Sequence, residues 1–155
     1  MPSALLPPVA NDYRGSRIAL WLLGAALLLK TLCSVNALLI GRLVAPVHGL
    51  HLATLAPDAA RIALALLALW ALSQLLTALV GWAVLIRYRA FAPTMLAILV
   101  LDHLGREILR QLLPVDPPRI PGAGVVNLTI LVLALAARPL ALRRRGAPAA
   151  VPAPA

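Results

Sequence analysis

The chain is poor in charge, and poorest in acids. Asp and Glu number 5 against 14 Lys and Arg, and charged residues make up only 12% of the 155, where a soluble domain carries about a quarter. Cysteine occurs once, as Cys33. An intramolecular disulfide is therefore impossible, and a disulfide-exchange enzyme, which needs cysteine pairs, is excluded. Cys33 reads as a small apolar packing residue. Lysine also occurs once, as Lys30, because the other basic residues are arginines; that bias fits a GC-rich bacterial genome. The sequence holds no phosphate-binding loop, no zinc-protease motif and no Ser/His/Asp set on a usable scaffold. A b-type haem needs paired histidines within helices, and only His103 is so placed. No enzyme and no cofactor are expected.

What the chain has is apolar length. It is 62% hydrophobic, with a mean hydropathy of +0.94, more Leu and Ala than a water-soluble core of this size could hide. The apolar residues come in blocks of about 20, the length a helix needs to cross the hydrocarbon. The expected fold is all-α, a single integral membrane four-helix bundle. A net charge of +9 in a soluble protein would suggest nucleic acid. Here the arginines sit beside the apolar blocks, which fits topology signals and anionic headgroups, so the lipid bilayer and no nucleic acid is the expected partner.

Residues 1–16 read as a short tail. The spans are expected at about 18–41, 61–86, 91–113 and 121–142, and residues 143–155 read as a disordered basic and Pro/Ala tail. A signal peptide competes for the first block, since Arg14 and Arg17 precede Ile18 to Leu29 and Val35 to Ala37 offers a cleavage pattern. Apolar sequence continues past Lys30 to Ile40, longer than a signal core, which favours a span. The loop at 42–60 is broken by Pro46, Gly49 and Pro57 and has room for one interfacial turn. Asp58 lies where a carboxylate suits the next helix N-terminus. Spans two and three are joined so closely that they form an antiparallel hairpin, with Pro93 in a first turn that tolerates it.

With the N-terminus inside, the inner segments hold Arg14, Arg17, Arg87, Arg89, Arg138, Arg143, Arg144 and Arg145. The outer ones hold Arg42, Arg61 and Arg119, with Arg110 near the boundary. The positive-inside rule then places both termini in the cytoplasm of a bacterial inner membrane. Tyr13, Trp21, Trp82, Tyr88 and Phe91 fall at that inner edge, as an aromatic belt would.

The third span, Phe91 to Leu113, carries Asp102, His103, Arg106, Glu107 and Arg110. Charges at membrane depth are costly and face protein or water. Counted from the inner edge at about 1.5 Å per residue, Lys30 in span one and Asp102 in span three both lie roughly 17–18 Å deep. Opposite charges at one depth on parallel spans point to a pair. Lys30 shares its helix side with Ala19, Ala26, Cys33, Ser34, Ala37 and Gly41, a small-residue packing face. Gln74 in span two and Asn127 in span four lie on similar sides and complete the polar interior. Glu107 can pair with Arg110 or His103, and Asp102 with Arg106. The opposite side of span three, with Leu96, Ile98, Val100 and Ile108, is expected to be apolar and outward.

His48 and His51, with Asp58, are a weak metal candidate: the residue types suit zinc, but Gly49 and Pro57 leave their geometry unconstrained.

The stretch Arg87 to Arg106, RYRAFAPTMLAILVLDHLGR, resembles a family of small bacterial membrane proteins of four predicted spans. The Arg-Tyr-Arg hairpin, the proline and methionine after it and the acidic or polar pair before Leu-Gly-Arg, here Asp102-His103, carry the resemblance. That family has no assigned activity, so the resemblance implies a fold and no functional residue. The expectation is a non-enzymatic multi-pass membrane protein, either an accessory subunit bound to a membrane-protein partner or a homo-oligomer. The alternative is a small proton-coupled carrier or channel using Asp102, His103 and Lys30.

Overall fold

The computed structural model describes residues 11–113 and 122–143. It is all-helical, with no strand among the described residues. Helix α1 spans Arg17–Leu39. Its N-cap is Ser16, whose hydroxyl oxygen accepts from the Ile18 N–H at 3.3 Å and so satisfies one of the free donors at the helix start. The short α2, Gly41–Val44, follows a kink at Ile40.

Two 3₁₀ turns, Ala45–His48 and Leu52–Thr54, then carry the chain to α3, Pro57–Arg87, with Asp58 in its first turn and Arg87 in its last. Gly49 ends the first of these turns at φ 80°, a left-handed conformation suited to glycine. Helix α4 is Ala92–Leu112 with Pro93 in its first turn, reached from α3 through the 3₁₀ turn Arg89–Phe91. Helix α5 is Gly122–Leu142, with Pro139 near its end.

Helix α1 is central. It packs along both α3 and α5, and α4 packs along α5. Although α3 and α4 are joined by a tight turn, they touch each other sparingly. The main core gathers Leu23 and Leu27 of α1, Met95, Leu96 and Leu99 of α4, and Ile130, Ala134 and Ala137 of α5. A smaller cluster of Ala37, Ala45, Leu67 and Ala71 ties the outer turns to α1 and α3. Gly81 permits the α1–α3 approach, since a Cβ there would collide with Leu27 and come within 3.2 Å of Met95.

At the other end, the Ser16 N–H donates to the Leu140 carbonyl at 3.0 Å, and the Tyr13 hydroxyl donates to the Ser16 carbonyl at 3.1 Å. The segment before α1 is thereby tied to the end of α5, where the last carbonyls of a helix lack internal partners.

Large apolar side chains cover the outside, among them Ile62, Leu66, Leu69, Leu76 and Val80 on α3 and Val125, Val132 and Leu135 on α5. Among the described residues, three helical stretches are long and apolar enough to cross a membrane: Arg17–Leu39, Pro57–Arg87 and Gly124–Leu142. Helix α4 has 21 residues but carries too many charges to join them.

On α4, Leu96 and Val100 are buried, while Ile98 and Ile108 are exposed. Leu96 and Val100 thus turn inward, against the expectation of a wholly outward apolar side. The reason is spacing: Leu96 lies seven residues before His103 and shares its face, so one inward stripe is apolar in the first half of the helix and polar in the second.

Candidate functional site

The polar side chains of all four long helices meet around Lys30. On α1 it is 3% exposed. Its ammonium donates to the Asp102 carboxylate at 2.7 Å and to the Gln74 side-chain oxygen, and lies 3.4 Å from His103 Nε2. An ammonium has three N–H donors, and here each has an acceptor, one on α3 and two on α4.

The His103 imidazole is fixed from its other side. Its Nδ1 is 2.7 Å from Asn127 Oδ1, and Asn127 Nδ2 donates to the His103 carbonyl at 3.1 Å. The second contact orients the Asn127 amide, so its oxygen faces the ring and must accept. This pattern assigns the His103 proton to Nδ1 and leaves Nε2 as the acceptor for Lys30. His103 is therefore the neutral tautomer that bridges α1, α4 and α5.

Asp102 is held from both sides. One oxygen faces Lys30, and the other accepts from Arg106 Nε at 3.0 Å and Nη2 at 2.8 Å. The Arg106 guanidinium lies 5.2 Å from the Trp70 ring centroid. The same indole meets His48 edge-on, with ring centroids 5.2 Å apart. Trp70 of α3 thus links the α4 charges to the turn at Ala45–His48. A turn further along α4, Arg110 pairs with Glu107, which also accepts from Gln111 Nε2 at 3.1 Å. Ser34, also buried, donates to the Lys30 carbonyl at 2.8 Å.

A cavity of about 40 Å³ adjoins this network, lined by Lys30, Ser34, Trp70, Gln74, Arg106 and Asn127 among others. It has room for an ordered water or an ion of similar size. No buried side-chain nitrogen or oxygen among the described residues is sealed off without a partner.

The structure thus brings Lys30, Gln74, Asp102, His103, Arg106 and Asn127 together, with Glu107 and Arg110 as a separate pair. It does not bring together His48, His51 and Asp58: among the described residues no three His, Cys, Asp or Glu side chains are placed to hold a metal ion. His48 is instead occupied with Trp70, and burial pushes its imidazole below the ordinary value of 6.5.

Trp82, expected at the inner water edge, turns to α1 and donates from its indole N–H to Thr31 Oγ1 at 3.0 Å. Two features escaped the sequence reading. Neither Trp70, the platform for the Arg106 guanidinium, nor Gln111, the partner of Glu107, is singled out by the sequence. Their spacing alone carries a faint signal, since Gln111 lies four residues after Glu107.

The described residues define an all-helical protein with three membrane-length apolar helices and a buried ionic network joining them to a further, charged helix. No family model, curated protein or solved structure matches the chain.

Proposed function

We propose that the chain is a four-span, multi-pass integral protein of a bacterial inner membrane, with both termini cytoplasmic. Its role is non-enzymatic, as an accessory subunit or a homo-oligomer, and the Lys30 network is the lock that sets how its helices pair. The observation that carries this reading is the matched hydrogen bonding of Lys30, whose three donors face Gln74, Asp102 and His103. A buried charge left without partners costs several kcal/mol, so the helices are held to the one arrangement that supplies all the acceptors. Membrane depth strengthens the constraint, because water is not there to substitute. The arginine distribution supports the orientation, and the resemblance of residues 87–106 supports the span count.

A second reading makes the same residues a proton path through a small carrier or channel. It is favoured by one feature: the Asp102 side chain is 25% exposed, beside the water-sized cavity.

Proteoliposomes under a pH gradient separate the two. A lock gives no proton flux in the wild type, and Asp102→Asn lowers the melting temperature only. A flux abolished by Asp102→Asn would replace the lock with the carrier. A C-terminal reporter active only outside the cytoplasm would overturn the orientation. Native mass spectrometry from mild detergent distinguishes a bound second protein from copies of this chain.

A further inference from the structure

The cavity beside Lys30 is unbalanced in two independent ways. The first is charge. Lys30 and Arg106 are both cationic, Asp102 is the one anion touching them among the described residues, and His103 is neutral by its hydrogen bonding. The cluster therefore carries one positive charge in excess. Glu107 does not offset it, being already paired with Arg110.

The second is donors. Gln74 is 7% exposed, and its oxygen is committed to Lys30. Gln74 lines the cavity, and no acceptor for its amide N–H groups is found among the described residues. Asn127 Nδ2 has one hydrogen engaged with the His103 carbonyl and one left over. Arg106 uses Nε and Nη2 on Asp102, which leaves Nη1. Of the acceptors, Asp102, His103 Nε2 and the Gln74 oxygen are taken by cations, and Ser34 Oγ, whose hydrogen goes to the Lys30 carbonyl, keeps free lone pairs. A cavity rich in donors, poor in acceptors and positive overall disfavours a metal cation and suits an anion.

We infer that this cavity between α1, α3, α4 and α5 binds one small monovalent anion of chloride size, held by the Gln74 and Asn127 amide N–H groups and the Arg106 guanidinium. Size sets the class. About 40 Å³ suits a single small ion better than a phosphate or a lipid headgroup. The ion neutralises the excess charge where partial burial makes that charge costly, and it completes the donors that Gln74 presents. The site is independent of whether the network is a lock or a proton path.

The test uses the full chain in mild detergent. Chloride is titrated against gluconate at constant ionic strength and the melting temperature is followed. A saturable rise with chloride is expected, and its absence in the wild type would overturn the site. Gln74→Glu keeps an oxygen for Lys30 but supplies the missing negative charge itself. That variant is expected to bind chloride at least about ten-fold more weakly. A saturable rise of unchanged midpoint in Gln74→Glu would overturn the assignment, because the ion would then lie elsewhere. Should Gln74→Glu not yield folded protein, Gln74→Leu, which removes the amide donors, is read in the same way: a ten-fold weaker midpoint supports the site and an unchanged one rejects it.

Discussion

Asn127 controls more than its own contact. By receiving the His103 Nδ1 proton it makes Nε2 an acceptor, and so gives Lys30 its third partner. Replacing it with leucine strands an imidazole N–H in the interior, which costs about 1–3 kcal/mol. Asn127→Leu should therefore lower the unfolding free energy in detergent by that amount. Asn127→Asp, which keeps the accepting oxygen, should lower it less.

Trp70 is the comparable residue for Arg106. A cation over an indole face gains about 0.5–2 kcal/mol, and a phenyl ring serves less well. Trp70→Phe should accordingly retain part of the stability that Trp70→Leu loses.

At this scale much was readable in the sequence. Lys30 and Asp102 lie on helices running the same way, so counting residues from one membrane edge compares their depths directly. Trp82 could not be placed by that counting. Helix α3 has 31 residues, longer than the bilayer needs, and its position relative to α1 depends on where Gly81 meets Leu27. That contact comes from packing and is absent from any single helix.

Among the elements, α1 and α3 pack most extensively, and at Gly81 their approach leaves no room for a Cβ beside Leu27. Adding a methyl group there forces Leu27 to move, and overpacking of this kind costs about 1–3 kcal/mol. Gly81→Ala should lower the melting temperature, and combined with Leu27→Ala in the same chain the two losses should be less than additive. A stabilised Gly81→Ala would mean that the two helices stand further apart.

The outer turn at Ala45–His48 makes a pH-dependent contribution through His48 against Trp70. Burial lowers the His48 pKa from its ordinary 6.5, so the unfolded chain takes up the proton before the folded one does. Stability from this group is therefore complete above about 6.5 and declines as pH falls toward the lowered value. His48→Phe keeps an aromatic edge on Trp70 and removes the titration. It should flatten the dependence of melting temperature on pH between about 7 and 5, the range in which a histidine near its ordinary value changes charge.

The turns themselves were only partly legible. Pro46, Gly49 and Pro57 mark a break, but they do not say that α2 and two 3₁₀ turns fill it, because those depend on the cluster formed by Ala37, Ala45, Leu67 and Ala71. The inward side of α4 differs from expectation in its first half because Leu96 and Val100, seven and three residues before His103, lie on its buried face and not opposite it, where they join the core with α1 and α5.

The whole molecule is an apolar exterior around a polar knot. Each long helix is greasy on one side and contributes at least one member to the network on the other: Lys30 from α1, Gln74 from α3, Asp102 and His103 from α4, Asn127 from α5. Loss of one member of a buried pair is severe, about 3–5 kcal/mol, because the survivor keeps its desolvation cost and loses its compensation. Loss of both members is milder. This asymmetry separates a true pair from two residues that are merely important.

The most direct measurement is a double-mutant cycle on Lys30 and Asp102, read as unfolding free energy of the purified chain in mixed micelles. Asp102→Ala alone should be strongly destabilising, and Lys30→Ala added to it should recover part of the loss, giving a coupling of 1 kcal/mol or more, within the range of roughly 0.5–3 kcal/mol typical of residues in contact. Strictly additive losses would mean that the two side chains do not meet, and the lock that joins the four helices would have to be abandoned.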